Sequence, residues 1–345
     1  MFWFDLDNSP HVPLFRPIFH ELTTRGCEYF VTARDFAQTQ DLLNFWNIPY
    51  TPVGKHGGKN TLRKLVNLLQ RSNMLISEVR GRKISLAVSH GSRTQLVASR
   101  RLSFPSLLML DYEHTEARIF NFLASHLLMP SSIPADLLSR LGFDLRKIIR
   151  YTGFKEQIYL KDFVPRVNFR KEINIDADAI LVTIRPPSTV GNYHDRRSEG
   201  LFQRCLEYFS SQNGTHCLIV NRTTSELDII PPTLRHRENI SILPRPVDGL
   251  QLMWASDLVV SGGGTMNRES ALLGIPTFSI FTGATPFLDL ALQDSGKLAF
   301  IKDSTHIGNI PIIKRSIPDH YEPKNTQLAS QITDIIIDLD KKSRP

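Results

Sequence analysis

Leu258-Val-Val-Ser-Gly-Gly-Gly-Thr-Met-Asn-Arg-Glu-Ser-Ala-Leu-Leu-Gly-Ile-Pro276 is the stretch on which the fold turns. An apolar strand, Leu258–Ser261, runs into Gly262-Gly263-Gly264, and a helix begins at Thr265. Glycines at that joint let a ligand come close to the backbone. A helix N-terminus adds free N–H donors and the positive end of a dipole, which suits a pyrophosphate. Thr265 adds a hydroxyl. Glu269, about one turn into the helix, places a carboxylate where it can accept hydrogen bonds from both hydroxyls of a ribose. A glycine-rich turn that serves only tight packing is the competing account. Thr265, Glu269 and Gly274-Ile-Pro276 in the same stretch favour a nucleotide, although the glycine order is not the dinucleotide G-x-G-x-x-G.

Working outward, short apolar runs alternate with amphipathic stretches on both sides. Strands are expected at Phe2–Leu6, Glu28–Thr32, Tyr50–Val53, Leu86–Ser89, Ser106–Leu110 and Leu127–Met129, with helices between them. A second alternating block has strands at Ile180–Ile184, Cys217–Val220, Ile240–Leu243, Leu258–Ser261 and Thr277–Ile280. Such alternation predicts βαβ units, and the right-handed crossover rule gives doubly wound parallel sheets. The expected architecture is α/β, two Rossmann-like domains facing a cleft. Residues 1–151 form the first domain, 152–175 a linker and hinge, and 176–324 the second, with a C-terminal helix over 325–341 that can pack back on the first.

Composition bounds the function. A chain of 345 residues has a prior of about two domains. With 41% hydrophobic and 22% charged residues, it is neither disordered nor fibrous. Three cysteines without a C-x-x-C pair exclude a disulfide scaffold and a structural zinc site. No apolar run reaches the ~18 residues of a membrane span. Met1-Phe2-Trp3-Phe4-Asp5 lacks the basic start of a signal peptide, so a cytoplasmic location is expected. Lys and Arg exceed Asp and Glu by 41 − 34 = 7, which favours anionic partners. Lys55, Lys59, Arg63, Lys64, Arg71, Arg80, Arg82 and Lys83 crowd one segment, with Leu62, Leu65, Val66, Leu69, Ile76 and Val79 at helical spacing. That segment reads either as a solvated surface helix or as a patch for peripheral contact with an anionic membrane and a lipid-linked acceptor. Without an RNA-binding motif or aromatic-basic interleaving, no nucleic acid is expected.

Ligands of open α/β sheets sit at the carboxyl ends of strands, near a switch in strand order. Asp7, Asn8, Ser9 and His11 follow the first strand; His90 and Arg93 follow a later one; Asp111, Glu113 and His114 follow the next. These residues are expected along one rim, as an acceptor site. His11 is the natural general base because histidine titrates near neutrality, with Glu113 and Asp111 as alternatives. The bland alternative is that Asp7 and Asn8 cap the next helix and that the rest are solvated. Asp5-Leu-Asp also imitates the opening of haloacid-dehalogenase-type phosphatases, but no later acidic pair for magnesium follows. Arg185, ending the first strand of the second domain, offers a planar fork for phosphate oxygens.

Ser261–Pro276 resembles the donor site of two-domain GT-B proteins. It is similar to the signature of the lipid II-forming N-acetylglucosaminyltransferase and of the non-hydrolysing UDP-N-acetylglucosamine 2-epimerases. The resemblance assigns Gly262, Gly263, Gly264 and Thr265 to a diphosphate and Glu269 to a ribose. His11-Val12-Pro13 keeps the tail of the transferase's first-domain loop, with Asn8-Ser9-Pro10 in place of its glycines. His90-Gly91 is similar to the epimerase His-Gly-Asp-Thr, with Ser92 where the acid stands, and Arg185-Pro186-Pro187-Ser188 replaces the epimerase His-Arg-Arg-Glu. Over nearly its full length the chain resembles the family of domain of unknown function 354. Asp5–Pro13, Thr32-Ala-Arg-Asp, Gly54-Lys-His-Gly-Gly-Lys, Ser89-His-Gly-Ser-Arg, Asp111-Tyr-Glu-His-Thr, Arg185-Pro-Pro and Tyr193-His-Asp carry that likeness. The implied function is a metal-independent glycosyltransferase with a UDP-sugar as substrate and no prosthetic group, acting in glycan or cell-surface polysaccharide synthesis. A nucleotide-sugar epimerase or hydrolase, or a non-catalytic nucleotide-sugar binder, is the alternative.

Overall fold

The computed structural model describes residues 1–36, 38–55, 61–187, 196–221, 226–243 and 247–343, with the backbone alone at 61–65, 196 and 343. Lys59, the side chain of Arg63 and the run Tyr193-His194-Asp195 lie outside the described residues.

The chain folds as two units, Met1–Lys161 with Lys324–Pro345, and Asp162–Pro323. The first holds β1 (Phe2–Leu6), α1 (His11–Thr24), β2 (Tyr29–Asp35), α2 (Thr39–Phe45), β3 (Thr51–Lys55), α3 (Thr61–Val79), β4 (Leu86–His90), α4 (Arg93–Arg101), β5 (Ser106–Met109), α5 (Ala117–Leu123), β6 (His126–Pro130), α6 (Ala135–Arg140), β7 (Ile148–Tyr151) and α7 (Gln157–Leu160). The second holds α8 (Phe169–Glu172), β8 (Ile180–Arg185), α9 (Arg196–Ser210), β9 (Thr215–Ile219), β10 (Ile240–Ile242), α10 (Gly249–Ala255), β11 (Leu258–Ser261), α11 (Gly264–Leu272), β12 (Thr277–Ser279), α12 (Phe287–Asp294) and β13 (Ala299–Phe300). The last helix, α13 (Leu328–Ser343), returns to the first unit.

Each unit has one parallel sheet, in the orders β3-β2-β1-β4-β5-β6-β7 and β10-β9-β8-β11-β12-β13. The chain winds one way from the first strand of each unit and the other way from the fourth. The crevices therefore open at the carboxyl ends of β1 and β4 in one unit and of β8 and β11 in the other. Every residue of β1 is buried, as a parallel strand covered on both faces requires. Phe4 makes edge-on contacts with Phe15 and Phe19 of α1, with ring centroids 5.3 and 4.9 Å apart. On the same core α13 lays Leu328, Ile332, Ile336 and Leu339, spaced along one helical face.

Three features differ from the sequence reading. The segment 152–175 is divided between the units, which part at Lys161/Asp162. Much of it packs: α7 buries Ile158 and Leu160, and α8 buries Phe169, while Val164 and Val167 between them are exposed. Strands β7, whose run Ile148-Ile-Arg-Tyr is broken by a charge, and β13, only two residues long, complete the sheets. Helix α3 does not bury one continuous stripe. Leu75, Ile76 and Val79 pack with Trp3, Val53 and Ile84, while Val66, Leu69 and Met74 are exposed. Arg71, counted among the surface cations, is buried.

Candidate functional site

At the carboxyl end of β1, Asp5 is fully buried. Its carboxylate accepts hydrogen bonds from both terminal nitrogens of Arg71 (2.7 and 2.8 Å), from Ser92 Oγ (2.6 Å) and from Thr32 Oγ1 (2.7 Å). Burial pushes its pKa up, but the Arg71 charge and these hydrogen bonds outweigh burial and hold it below the ordinary carboxylate value. Arg71 in turn donates to Val53 O at 2.9 Å and to Thr94 Oγ1. Asp5 is thus the pin that ties β1, β2, α3 and the start of α4 together. Both its oxygens are engaged, which leaves the phosphatase-like nucleophile reading without an attacking group.

The next residues line the β1/β4 crevice. His11 is the first residue of α1 and is buried rather than solvated. Neither Asp7 nor Asn8 caps that helix, whose N-cap is Pro10. Asn8 Oδ1 accepts the Ser9 N–H, and Ser9 Oγ accepts the Gln38 N–H, both at 3.0 Å, so these two side chains brace the loop. Asp7 Oδ1 lies 3.3 Å from His11 Nδ1. The His11 and His90 rings are 5.1 Å apart between centroids. His90 Nε2 is 3.1 Å from Asp111 Oδ1, and the other Asp111 oxygen accepts from Lys155 Nζ. Lys155 also donates to Glu156 Oε1 at 2.9 Å. Burial, with the His90 and Lys155 charges, pushes His11 well below the usual histidine value, so its imidazole is neutral at pH 7. Asp7 is raised, chiefly by burial.

Not every rim residue joins this group in the same way. Glu113 is buried, with Oε1 3.3 Å from His114 Nε2. Arg93 turns to the surface, pairing with Glu116 and lying 5.8 Å from the Phe120 ring centroid. No pattern in the sequence marks Lys155 and Glu156, because Ile148–Tyr151 does not read as a strand there. Once Ile148–Tyr151 is read as the last strand of the sheet, Lys155 falls in a strand-end loop like the others. Gly153 shapes that loop at φ +114°; a Cβ there would stand 2.4 Å from Asn325 Nδ2, which itself donates to Thr152 O.

In the second unit, Arg185 and Ser261 are register partners at the ends of β8 and β11. Gly262 is needed for close packing, since a Cβ would lie 2.8 Å from Pro187 Cα. Gly263 and Gly264 are different. A Cβ would meet nothing nearer than 3.6 Å at Gly263 and 3.9 Å at Gly264, and neither has a positive φ. Fold geometry therefore does not demand glycine at either position, and their bare backbone opens the start of α11. The Gly263 N–H donates to Ser261 Oγ at 2.9 Å. The following N–H groups belong to the first turn, which has no partners within the helix. The Arg185 guanidinium lies beside Gly263, its Cζ 3.6 Å from the position of that Cβ. Asn267 and Arg268 anchor α11 from its buried face, to Ser279 Oγ (3.0 Å) and Asp289 Oδ1 (2.6 Å), while Thr265 and Glu269 are half-buried on the other side. Among the described residues, no group of three or more His, Cys, Asp or Glu side chains is arranged to hold a metal ion.

The profile of the family described as "Protein of unknown function (DUF354)" matches residues 1–342. An uncharacterized protein of Methanocaldococcus jannaschii is 28% identical over 318 residues, covering 89% of each chain. Among solved structures, the UDP-GlcNAc 2-epimerase of Neisseria meningitidis bound to UDP-GlcNAc aligns with a TM-score of 0.75 at 13% identity, over 98% of this chain and 99% of that one. The glycotransferase of kitacinnamycin aligns with a TM-score of 0.57 at 12% identity, over 99% and 93%. At such identities the likeness is one of fold, and the fold is GT-B-like.

Proposed function

The chain belongs to the DUF354 family, and we propose that it is a GT-B-type glycosyltransferase whose donor is a nucleotide diphosphate sugar, UDP-linked. The observation that carries this reading is the opened N-terminus of α11 beside Arg185, at the switch point of the second sheet. Gly264, Thr265 and Arg185 hold the diphosphate, and Glu269 holds the ribose. His11, neutral and beside Asp7, takes the proton of the acceptor hydroxyl. The acceptor oxygen bonds to the anomeric carbon as the anomeric bond to the diphosphate breaks. The released electrons stay on the diphosphate, where the helix terminus and Arg185 compensate the charge. The acceptor is lipid-linked, brought in by the exposed Val66, Leu69 and Met74 of α3 and the exposed Arg80, Arg82 and Lys83 that follow it.

A nucleotide-sugar 2-epimerase is the second reading, and the whole-length likeness to the Neisseria meningitidis enzyme favours it. One side chain speaks against it. Ser92, standing where the resemblance puts the epimerase acid, is buried in the Asp5 network and caps α4 by accepting the Gln95 N–H. Incubation with UDP-GlcNAc in heavy water separates the two. Release of UDP that depends on an added acceptor supports transfer. Deuterium entering at C2 of the sugar without UDP release identifies the epimerase, because inversion at C2 breaks that C–H bond. If neither occurs with any UDP-sugar, and UDP does not raise the melting temperature as binding demands, the nucleotide-sugar reading fails.

A further inference from the structure

Beyond the residues that resemblance or motif had singled out, the first unit contains a buried ammonium. Lys155 is 5% exposed and lies between two carboxylates, Asp111 and Glu156. Such a lysine is costly to bury and persists only when paired. It reaches from the loop after β7 to Asp111 in the loop after β5, and the same Asp111 holds His90, whose ring neighbours His11. The charged and titratable groups facing His11 are Asp7 after β1, Arg34 on β2, His90 on β4, Asp111 after β5 and Lys155 after β7. Within this set Lys155 does two things. It offsets part of the Asp111 charge and fixes that carboxylate where it holds His90. It also places a fixed positive charge near His11 that opposes protonation of the imidazole.

We propose that Lys155 is a positioning residue for His11: by holding Asp111 against His90, it keeps the His11 imidazole in the proton-accepting state. This rests on the reading of His11 as the base, and its test separates the two. A ligand needing only a polar crevice would not require an ammonium sealed from it, and a purely structural lysine would not act on His11.

The experiment follows the His11 imidazole by nitrogen-edited NMR titration of the full chain without ligand, in wild type, Lys155→Met, Lys155→Arg and Asp111→Asn. Loss of the ammonium should raise the His11 midpoint by roughly half a pH unit or more, as a nearby charge does. Lys155→Arg should restore it, and Asp111→Asn should move it the other way. Where Lys155→Met leaves Asp111 unpaired and fails to fold, the double variant Lys155→Met/Asp111→Asn removes both charges. That variant should fold, with a His11 midpoint above that of Asp111→Asn alone. With a turnover assay in hand, the acid limb of kcat/KM in Lys155→Met should move to higher pH, while the rate above the limb is retained. A His11 midpoint unmoved in Lys155→Met, or moved equally by Lys155→Arg, overturns the proposal. A shifted midpoint in a protein that turns over no nucleotide sugar leaves the positioning role intact and removes the catalytic reading of His11 instead.

Discussion

At the residue scale, His11 shows how burial changes the meaning of a side chain. A solvated histidine would titrate at about 6.5. Here burial, and then the charges of His90 and Lys155, disfavour the imidazolium. A base is active when unprotonated, so a lowered value extends activity toward acid. The pH profile of kcat/KM should therefore stay flat as pH falls through 6.5, with its acid limb below that. A limb centred at the ordinary histidine value or higher would exclude His11 as the controlling base. His11→Gln should lower kcat by about 10²–10⁴-fold, the usual contribution of a general base, with UDP affinity by calorimetry unchanged. If affinity falls in step with kcat, His11 binds rather than catalyses.

At the element scale, the three glycines at the start of α11 divide into one that the fold needs and two that it does not. Gly262→Ala drives a Cβ to within 2.8 Å of Pro187 Cα, so backbone must shift. The expected result is a lower melting temperature, by a destabilisation of about 1–3 kcal/mol as for overpacking. Gly263→Val should leave the melting temperature close to wild type and cut UDP affinity at least tenfold, because the added methyls occupy the space at the helix start. The reverse pattern would mean that the turn only packs. Helix α3 carries a separate expectation. Its exposed Val66, Leu69 and Met74 stand on the same helix whose end leads to Arg80, Arg82 and Lys83, all solvent-exposed. Each cation near an anionic surface contributes about 1 kcal/mol. Co-sedimentation with anionic but not neutral vesicles, lost at high salt and weakened by Arg80→Glu with Lys83→Glu, is the predicted outcome. Equal recovery in the supernatant with both vesicle types would leave α3 as a solvated helix.

At the scale of the whole molecule, the first unit is discontinuous in sequence and the second is not. Helix α13 contributes Leu328, Ile332, Ile336 and Leu339 to the core around β1 and α1. Fully burying each such side chain is worth about 1.5–3 kcal/mol, and together they rival the 5–15 kcal/mol that typically holds a domain folded. Ending the chain at residue 323 should therefore abolish the cooperative melt of the first unit, while residues 162–323, with their own core around Phe202, Phe209 and Val260, still melt cooperatively. Two cooperative transitions in the truncated chain would show that α13 is dispensable.

The sequence by itself determined what local chemistry can encode. The alternation of short apolar runs with amphipathic helices carried the doubly wound class, and Leu258–Pro276 carried a strand, a bare turn and a helix whose observed limits differ by a residue. It also placed His11, His90 and Asp111 at strand ends, because a strand end is a local property. Tertiary structure alone decided which of these residues meet. Ion pairs such as Asp5–Arg71 and Asp111–Lys155 join positions far apart in the chain, where no periodicity links the partners. The same holds for the split of α3 into a packed and an exposed half, and for the room left at Gly263 but not at Gly262. Each depends on what another segment brings alongside: Trp3 and Val53 for α3, Pro187 and Arg185 for the glycines. Burial is a property of the assembled sheet, and burial is what turns a lysine in a supposed linker into a charge that acts on His11.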